Sequence, residues 1–151
     1  MSTHLPRRRL GSNGPEITTV GFGAWAAGGG GWAFSWGPQD DEASVAAILH
    51  ALDKGVNWID TAAVYGQGHS ESIVGEAVEG QREKVQILTK FGLRWDTDKG
   101  LHYFDSMNNH GQPIAIHRYA AKASVIEECE KSLKRLRTDY IDLYQHHRPD
   151  P

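Results

Sequence analysis

The stretch Trp58-Ile59-Asp60-Thr61-Ala62-Ala63-Val64-Tyr65-Gly66 constrains the fold of this chain more than any other. The run Gly55-Val56-Asn57-Trp58-Ile59 leading into it reads as a short buried strand. That strand ends in a carboxylate, and a tyrosine follows five residues later. Gly66 and Gly68 then close a turn before Ser70-Glu71-Ser72 opens a helix. A buried strand feeding a helix is the unit of a parallel sheet, whose ligand crevice lies beyond the carboxyl ends of the strands. Asp60 and Tyr65 fall at that place. On this stretch alone two readings stay open: catalytic groups, or a helix-capping aspartate beside a half-buried loop aromatic.

The strand–helix unit recurs along the chain. Asp40-Asp41-Glu42 places negative charge at a helix start, where the dipole favours it. Val45, Ile48, Leu49 and Leu52 then form an apolar stripe, and Gly55 stops the helix. After the central strand, Ile73, Val74, Ala77 and Val78 predict a second amphipathic helix that ends by Gly80. Val85-Gln86-Ile87-Leu88-Thr89-Lys90 predicts another strand, with a lysine at its carboxyl end. Val125, Ile126, Cys129, Leu133 and Leu136 mark a further helix, and Tyr140 to His147 a strand ending in two histidines. Upstream, Asn13-Gly14 signals a hairpin, and Thr18 to Trp25 reads as the first core strand. The glycine- and tryptophan-rich segment 28–37 reads as a flexible loop overhanging a site; no Lys-Ser/Thr follows to make it a phosphate cradle. Gly92 to Arg118 has little periodicity and reads as a long loop covering a site. The alternation predicts an α/β fold with a parallel sheet.

With 151 residues, the chain is long enough for one domain with a real core. A net charge of −3 gives no electrostatic reason to expect nucleic acid or an anionic membrane as partner. The basic cluster Arg7-Arg8-Arg9 is short and reads as a solvated strand edge. The single cysteine, Cys129, rules out an internal disulfide and fits a reducing compartment. There is no apolar run of membrane-spanning length, and Met1 to Pro6 lacks the apolar core of a secretory signal. A cytoplasmic setting is expected.

Asp60, Lys90 and His147 stand at the carboxyl ends of successive predicted strands. In a (β/α)8 barrel such positions converge on one face. An aspartate, tyrosine, lysine and histidine meeting there suit carbonyl reduction, in which hydride attack leaves negative charge on oxygen and a donor must supply a proton. Tyr65 is the candidate acid. A free phenol ionises near ~10, and a neighbouring Lys90 ammonium would favour the phenolate. Asp60 would aim Lys90, and His147 would hydrogen-bond the substrate oxygen. Adjacent strand residues face opposite ways, so only one of His146 and His147 enters the barrel. His147 is chosen, sharing the parity of Ile141, Leu143 and Gln145. A metal site from Asp60, His69 and His147 is disfavoured, because Lys90 would repel the cation. The aromatic loop residues Trp25, Trp32, Phe34 and Trp36 point to an apolar or aromatic carbonyl, or a sugar ring stacked on indole.

Gly21-Phe22-Gly23-Ala24-Trp25, Asp60 to Gly66, Thr89-Lys90, Ser132 to Leu136 and Asp139 to Pro149 together resemble the aldo-keto reductases. The likeness is to the branch of bacterial stress proteins and potassium-channel β-subunits. The resemblance implies a catalytic tetrad of Asp60, Tyr65, Lys90 and His147, the histidine preceding the Arg-Pro pair. It also implies NADPH, with the nicotinamide end near Gly23, Ala24, Trp25 and Asp60, and a small carbonyl substrate. The implied fold is the amino-terminal half of a (β/α)8 TIM barrel, about four βα units preceded by a β-hairpin. The family's later cofactor-binding strands have no counterpart in these residues. Three functions therefore stand side by side: a reductase, a non-enzymatic binding or regulatory module, and an inactive truncated fragment. Four parallel strands leave two open edges, so self-association through them is expected. Val20, Ile59, Leu88 and Leu143 are expected to line the inner face.

Overall fold

The computed structural model describes residues 5–149; residues 1–4, which begin the stretch weighed for a targeting signal, and residues 150–151 lie outside them. β1 (Arg7–Arg9) and β2 (Glu16–Thr18) pair antiparallel as a hairpin. Its turn differs from expectation. The left-handed residue is Gly11, at φ 68°, rather than Asn13-Gly14. Pro15 explains this, since it restricts Gly14 and has no N–H to continue the ladder of a tight two-residue turn.

The strand expected over 18–25 is reduced to β3 (Phe22–Gly23). The Trp58 ring fills the space where a Cβ on Gly21 would lie, and its indole N–H donates to the Thr18 carbonyl at 2.8 Å. Val20 is left 58% exposed and lines no inner face. β3 is followed by α1 (Asp41–Asp53), β4 (Trp58–Asp60), α2 (His69–Ala77) and β5 (Gln86–Phe91). After an insert come α3 (Lys122–Leu136) and β9 (Leu143–His146). The order β3-β4-β5-β9 is parallel throughout, with β3 and β9 at the edges.

Register decides which residues face the helices. Ile59 pairs with Ile87, and both join Ile48, Ile73, Val74 and Val78 in one core cluster. Asp60 pairs with Leu88, and Leu88 with Leu143, on the opposite face. Ile59 therefore belongs to the helix side, not the inner face, because alternate strand residues point oppositely. Asp40 caps α1, its carboxylate accepting the Ala43 N–H at 2.7 Å. Ile48 is buried as the stripe predicts, whereas Leu49 is 40% exposed. α2 opens at His69, so Ser70 is free to turn inward and donate to the Ala24 carbonyl at 2.6 Å.

Two expectations fail more deeply. Residues 92–118 are an antiparallel insert rather than a loop: β6 (Leu93–Arg94), β7 (Leu101–Met107) and β8 (Pro113–Arg118), in the order β6-β8-β7. The turn Asn108–Gly111 closes β7 on β8, the Asn108 N–H donating to the Gln112 carbonyl at 2.9 Å. The inward face of α3 is polar: Ser124, Glu128 and Ser132 are buried with Leu136, while Ile126 is half exposed. Ser124 and Glu128 meet Arg94, 3% exposed, whose guanidinium donates to Ser124 Oγ at 2.7 Å and Asp96 Oδ1 at 2.6 Å, while Ser132 Oγ accepts from Arg135 at 3.3 Å. Burial raises the Glu128 carboxyl above its ordinary range despite the Gly92 N–H it accepts. Burial also works against ionised Asp96, but hydrogen bonds from Arg94 and Lys131 outweigh it and hold that carboxyl low. Among the described residues no helix is long and apolar enough to cross a membrane.

Candidate active site

The carboxyl ends of β4, β5 and β9 bring Asp60, Lys90 and the residue after β9, His147, to one end of the sheet. The Lys90 ammonium donates to Asp60 Oδ1 at 2.6 Å, to the Thr61 carbonyl at 2.8 Å and to the Tyr65 hydroxyl at 3.2 Å. Lys90 is a half-buried cation with all three donors directed. Gln145, partnering Lys90 across the β5–β9 ladder, donates to Asp60 Oδ2 at 3.4 Å.

Tyr65 reaches this cluster because the chain leaves β4 through a tight turn and a short 3-10 segment, Tyr65–Gly68. Gly66 is required there: its φ is +60°, and a Cβ on it would collide with the Gly28 carbonyl. The Tyr65 ring is 6% exposed, 4.9 Å from Trp25 and 5.7 Å edge-on from His147, centroid to centroid. His146 instead stacks on Phe91 at 5.1 Å, on the other side of the strand. Burial first, then the positive charges of Lys90 and Arg148, push the His147 imidazole down to about 4. It is neutral near pH 7 and offers an uncharged N–H.

A cavity of about 150 Å³ opens beside these groups, walled by Trp25, Trp32, Phe34, Tyr65, Phe104 and His147. That is room for a ring the size of benzene. The insert supplies part of the wall through Phe104, Ser106 and Ile116, and Ser106 Oγ accepts the Ala33 N–H at 3.0 Å. A wider groove of about 1040 Å³ lies between the start of α1, residues 66–69 and the insert's turn, away from Lys90.

Of the residues expected to meet a cofactor, Trp25 walls the aromatic cavity and Asp60 ends β4 beside Lys90. Gly23 pairs with Asp60, and a Cβ added to Gly23 would meet nothing within 4 Å, so the sheet is open there. Ala24 is different. Its methyl lies in the helix-side core, its N–H donates to the Asp60 carbonyl and its carbonyl accepts from Ser70. His69 is paired with Asp41 at 2.8 Å rather than gathered with Asp60 and His147. Sequence reasoning missed Gln145, the Thr61 carbonyl and the insert's wall. The spacing of two between Phe104 and Ser106, and between Ile114 and Ile116, was the available signal for the last.

A model of the aldo/keto reductase family matches residues 19–151, and the chain belongs to that family. It is 42% identical to aldo-keto reductase YhdN of Bacillus subtilis, over 94% of this chain and 38% of that protein. It is 38% identical to an NADH-specific methylglyoxal reductase of Escherichia coli, over 91% of this chain and 40% of that protein. Among solved structures, the glycerol dehydrogenase AKR11B4 of Gluconobacter oxydans superposes with a TM-score of 0.71 at 38% identity, covering 99% of this chain and 40% of the other. The chain spans about two-fifths of the length of these relatives. Its four parallel strands are thus the amino-terminal portion of a TIM-barrel fold.

Proposed function

We propose that these residues are the catalytic half of a nicotinamide-dependent reductase that converts an aldehyde or ketone to an alcohol. The carrying observation is the Lys90 ammonium, held by Asp60 and the Thr61 carbonyl while contacting the Tyr65 hydroxyl. A reduced nicotinamide, when bound, supplies the hydride. Gly23, where an added Cβ would meet nothing within 4 Å, would hold it together with Trp25 and Asp60, and NADPH is the form the family resemblance implies. One relative is named for NADH, so both cofactors belong in the titration. Tyr65 donates the proton to the carbonyl oxygen as charge develops there, and Lys90 stabilises the phenolate left behind. Neutral His147 donates a hydrogen bond to the same oxygen and fixes its direction. The aromatic walls orient the rest of a small carbonyl compound and exclude water.

The activity proposed is that of a complete barrel containing these residues. Tyr65→Phe in that context is expected to lower turnover by roughly 10²–10⁴-fold while leaving cofactor affinity unchanged. Turnover within a few-fold of the parent would remove Tyr65 from the mechanism.

A further inference from the structure

Among the described residues, one permanently charged side chain lines the aromatic cavity: Arg148, exposed at its rim and next in the chain to His147. The other walls are aromatic, aliphatic or neutral polar, and no described carboxylate stands among them. Asp105 falls between the wall residues Phe104 and Ser106, but successive strand residues point oppositely, and it pairs with His102 at 2.8 Å. Lys90, a second cation near the reacting groups, is engaged by Asp60 at 2.6 Å. The Arg148 charge reaches the reacting groups, since after burial and Lys90 it is the next cause holding the His147 imidazole unprotonated. The rim itself is fixed. Arg118 on β8 sets its guanidinium 5.4 Å from the ring centre of Tyr103, another wall residue, and donates to the Pro149 carbonyl at 3.1 Å. The chain just beyond Arg148 is thereby tied to the insert.

We propose that Arg148 is a specificity-determining residue, selecting aromatic carbonyl compounds that carry a carboxylate. The ring of such a compound fills the apolar interior, and its carbonyl meets Tyr65 and His147. Its carboxylate stays at the rim, where a guanidinium fork matches it with two parallel hydrogen bonds. The apolar walls weaken screening on the cavity side of that pair, while the exposure of Arg148 limits the gain on the other. The preference is therefore moderate. This deepens the carbonyl-reduction reading and rests on it only for which end of the substrate points inward.

The test reads binding, so it does not depend on turnover. Trp25 and Trp32 line the cavity, and their indole N–H resonances, followed by NMR, report its occupancy. The probes are 3- and 4-formylbenzoate, each set against its own carboxamide, which has nearly the same shape and no charge. Wild type is expected to bind at least one benzoate ~5–10-fold more tightly than its amide. Added salt should shrink that gap, as for any exposed ion pair. Between pH ~6 and ~8 the gap should stay constant, because the guanidinium remains charged and the imidazole neutral. Arg148→Met should bind acid and amide within about twofold, and Arg148→Lys, which keeps the charge without the fork, should retain part of the gap. Equal binding of acid and amide by wild type needs no variant and would overturn the proposal. So would a gap that survives in Arg148→Met, a gap that widens as pH falls toward the His147 range, or no shift of either indole with any probe. A gap lost in Arg148→Met, together with full turnover in Tyr65→Phe, would instead keep Arg148 and discard the catalytic reading.

Discussion

Ile59 and Ile87 lie at the centre of the parallel sheet with no exposed surface, and their neighbours are Ile48, Val74 and Val78. A few residues beyond Ile87, Arg94 at the root of the antiparallel insert is nearly as deeply buried, and its neighbours are Asp96, Glu127, Glu128 and Ser124. The sheet is thus held by apolar burial, which is strong and tolerant of small shifts. The insert's Leu93 and Ile116 also pack in an apolar cluster with Trp32, Ala62, Val64 and Tyr65, but its root is held by charge, which tolerates no lost partner. The catalytic candidates come from the first region and much of the cavity wall from the second. Placing the wall accurately over Tyr65 therefore depends on a root whose geometry is fixed by directed hydrogen bonds. The insert's tip adds one more tie, Asn109 donating to the Gly28 and Gly66 carbonyls, both at 3.3 Å.

The largest effect is expected at the charged root. Arg94→Met strands buried Glu128 without its cation, while Asp96 keeps Lys131, and should cost about 3–5 kcal/mol by urea denaturation. Hydrogen exchange should rise mainly across 92–118 and the first turns of α3. Adding Glu128→Gln should recover part of the loss; a double variant no better than Arg94→Met would mean that the carboxylate is not what suffers. Ile87→Ala should cost about 3 kcal/mol through a cavity and lost burial, and exchange should rise throughout the sheet. Uniform exchange in both variants would erase the distinction between the two regions.

The seam between sheet and site gives the next effect. Lys90→Met leaves Asp60 with Gln145 alone, and Asp60→Asn leaves Lys90 with the Thr61 carbonyl and Tyr65. The side chains are 15% and 32% exposed, so their pairing is worth less than a fully buried one. A coupling of about 1–2 kcal/mol is expected from the double-variant cycle. Plain additivity would show that the pair does not act as a unit.

What was legible in the sequence follows the same division. Apolar stripes predicted all three helices, and the strand ends carrying Asp60, Lys90 and His147 were read from apolar runs and their parity. The β4 face went wrong at Ile59, because register between strands is not a property of one strand's pattern. The insert was read as a loop because its strands leave Leu101, Tyr103 and Met107 exposed, so apolar residues occupy both faces and the alternation blurs. α3 was given an apolar face through Ile126 because periodicity counts apolar residues alone. Its buried line, Ser124, Glu128 and Ser132, has the right helical spacing but the wrong chemistry for that count. The positions of Arg94, against Ser124 and Glu128, and of Arg135, against Ser132, are supplied by the fold and make it sensible.

The last effect is a pH dependence at His147, where the sheet's end and the insert share one cavity. Its imidazole titrates at about 4 in the folded protein, against about 6.5 for an unperturbed histidine. Between those values the unfolded chain binds more protons, so stability falls as pH falls. The stability of wild type relative to His147→Gln should be flat above pH ~7, decline from ~6.5 to ~4, and be flat again below. A C2–H resonance followed by NMR should give the midpoint near 4 directly. Burial is the leading cause, with the Lys90 charge second, so the two regions can be separated. In Arg94→Met, where the insert loosens, water should reach the ring and the midpoint should rise. In Lys90→Met it should rise by the lost repulsion while the insert stays protected from exchange. A midpoint near 6.5 in wild type would mean that the ring lies in solvent, and the shared cavity would not exist in solution.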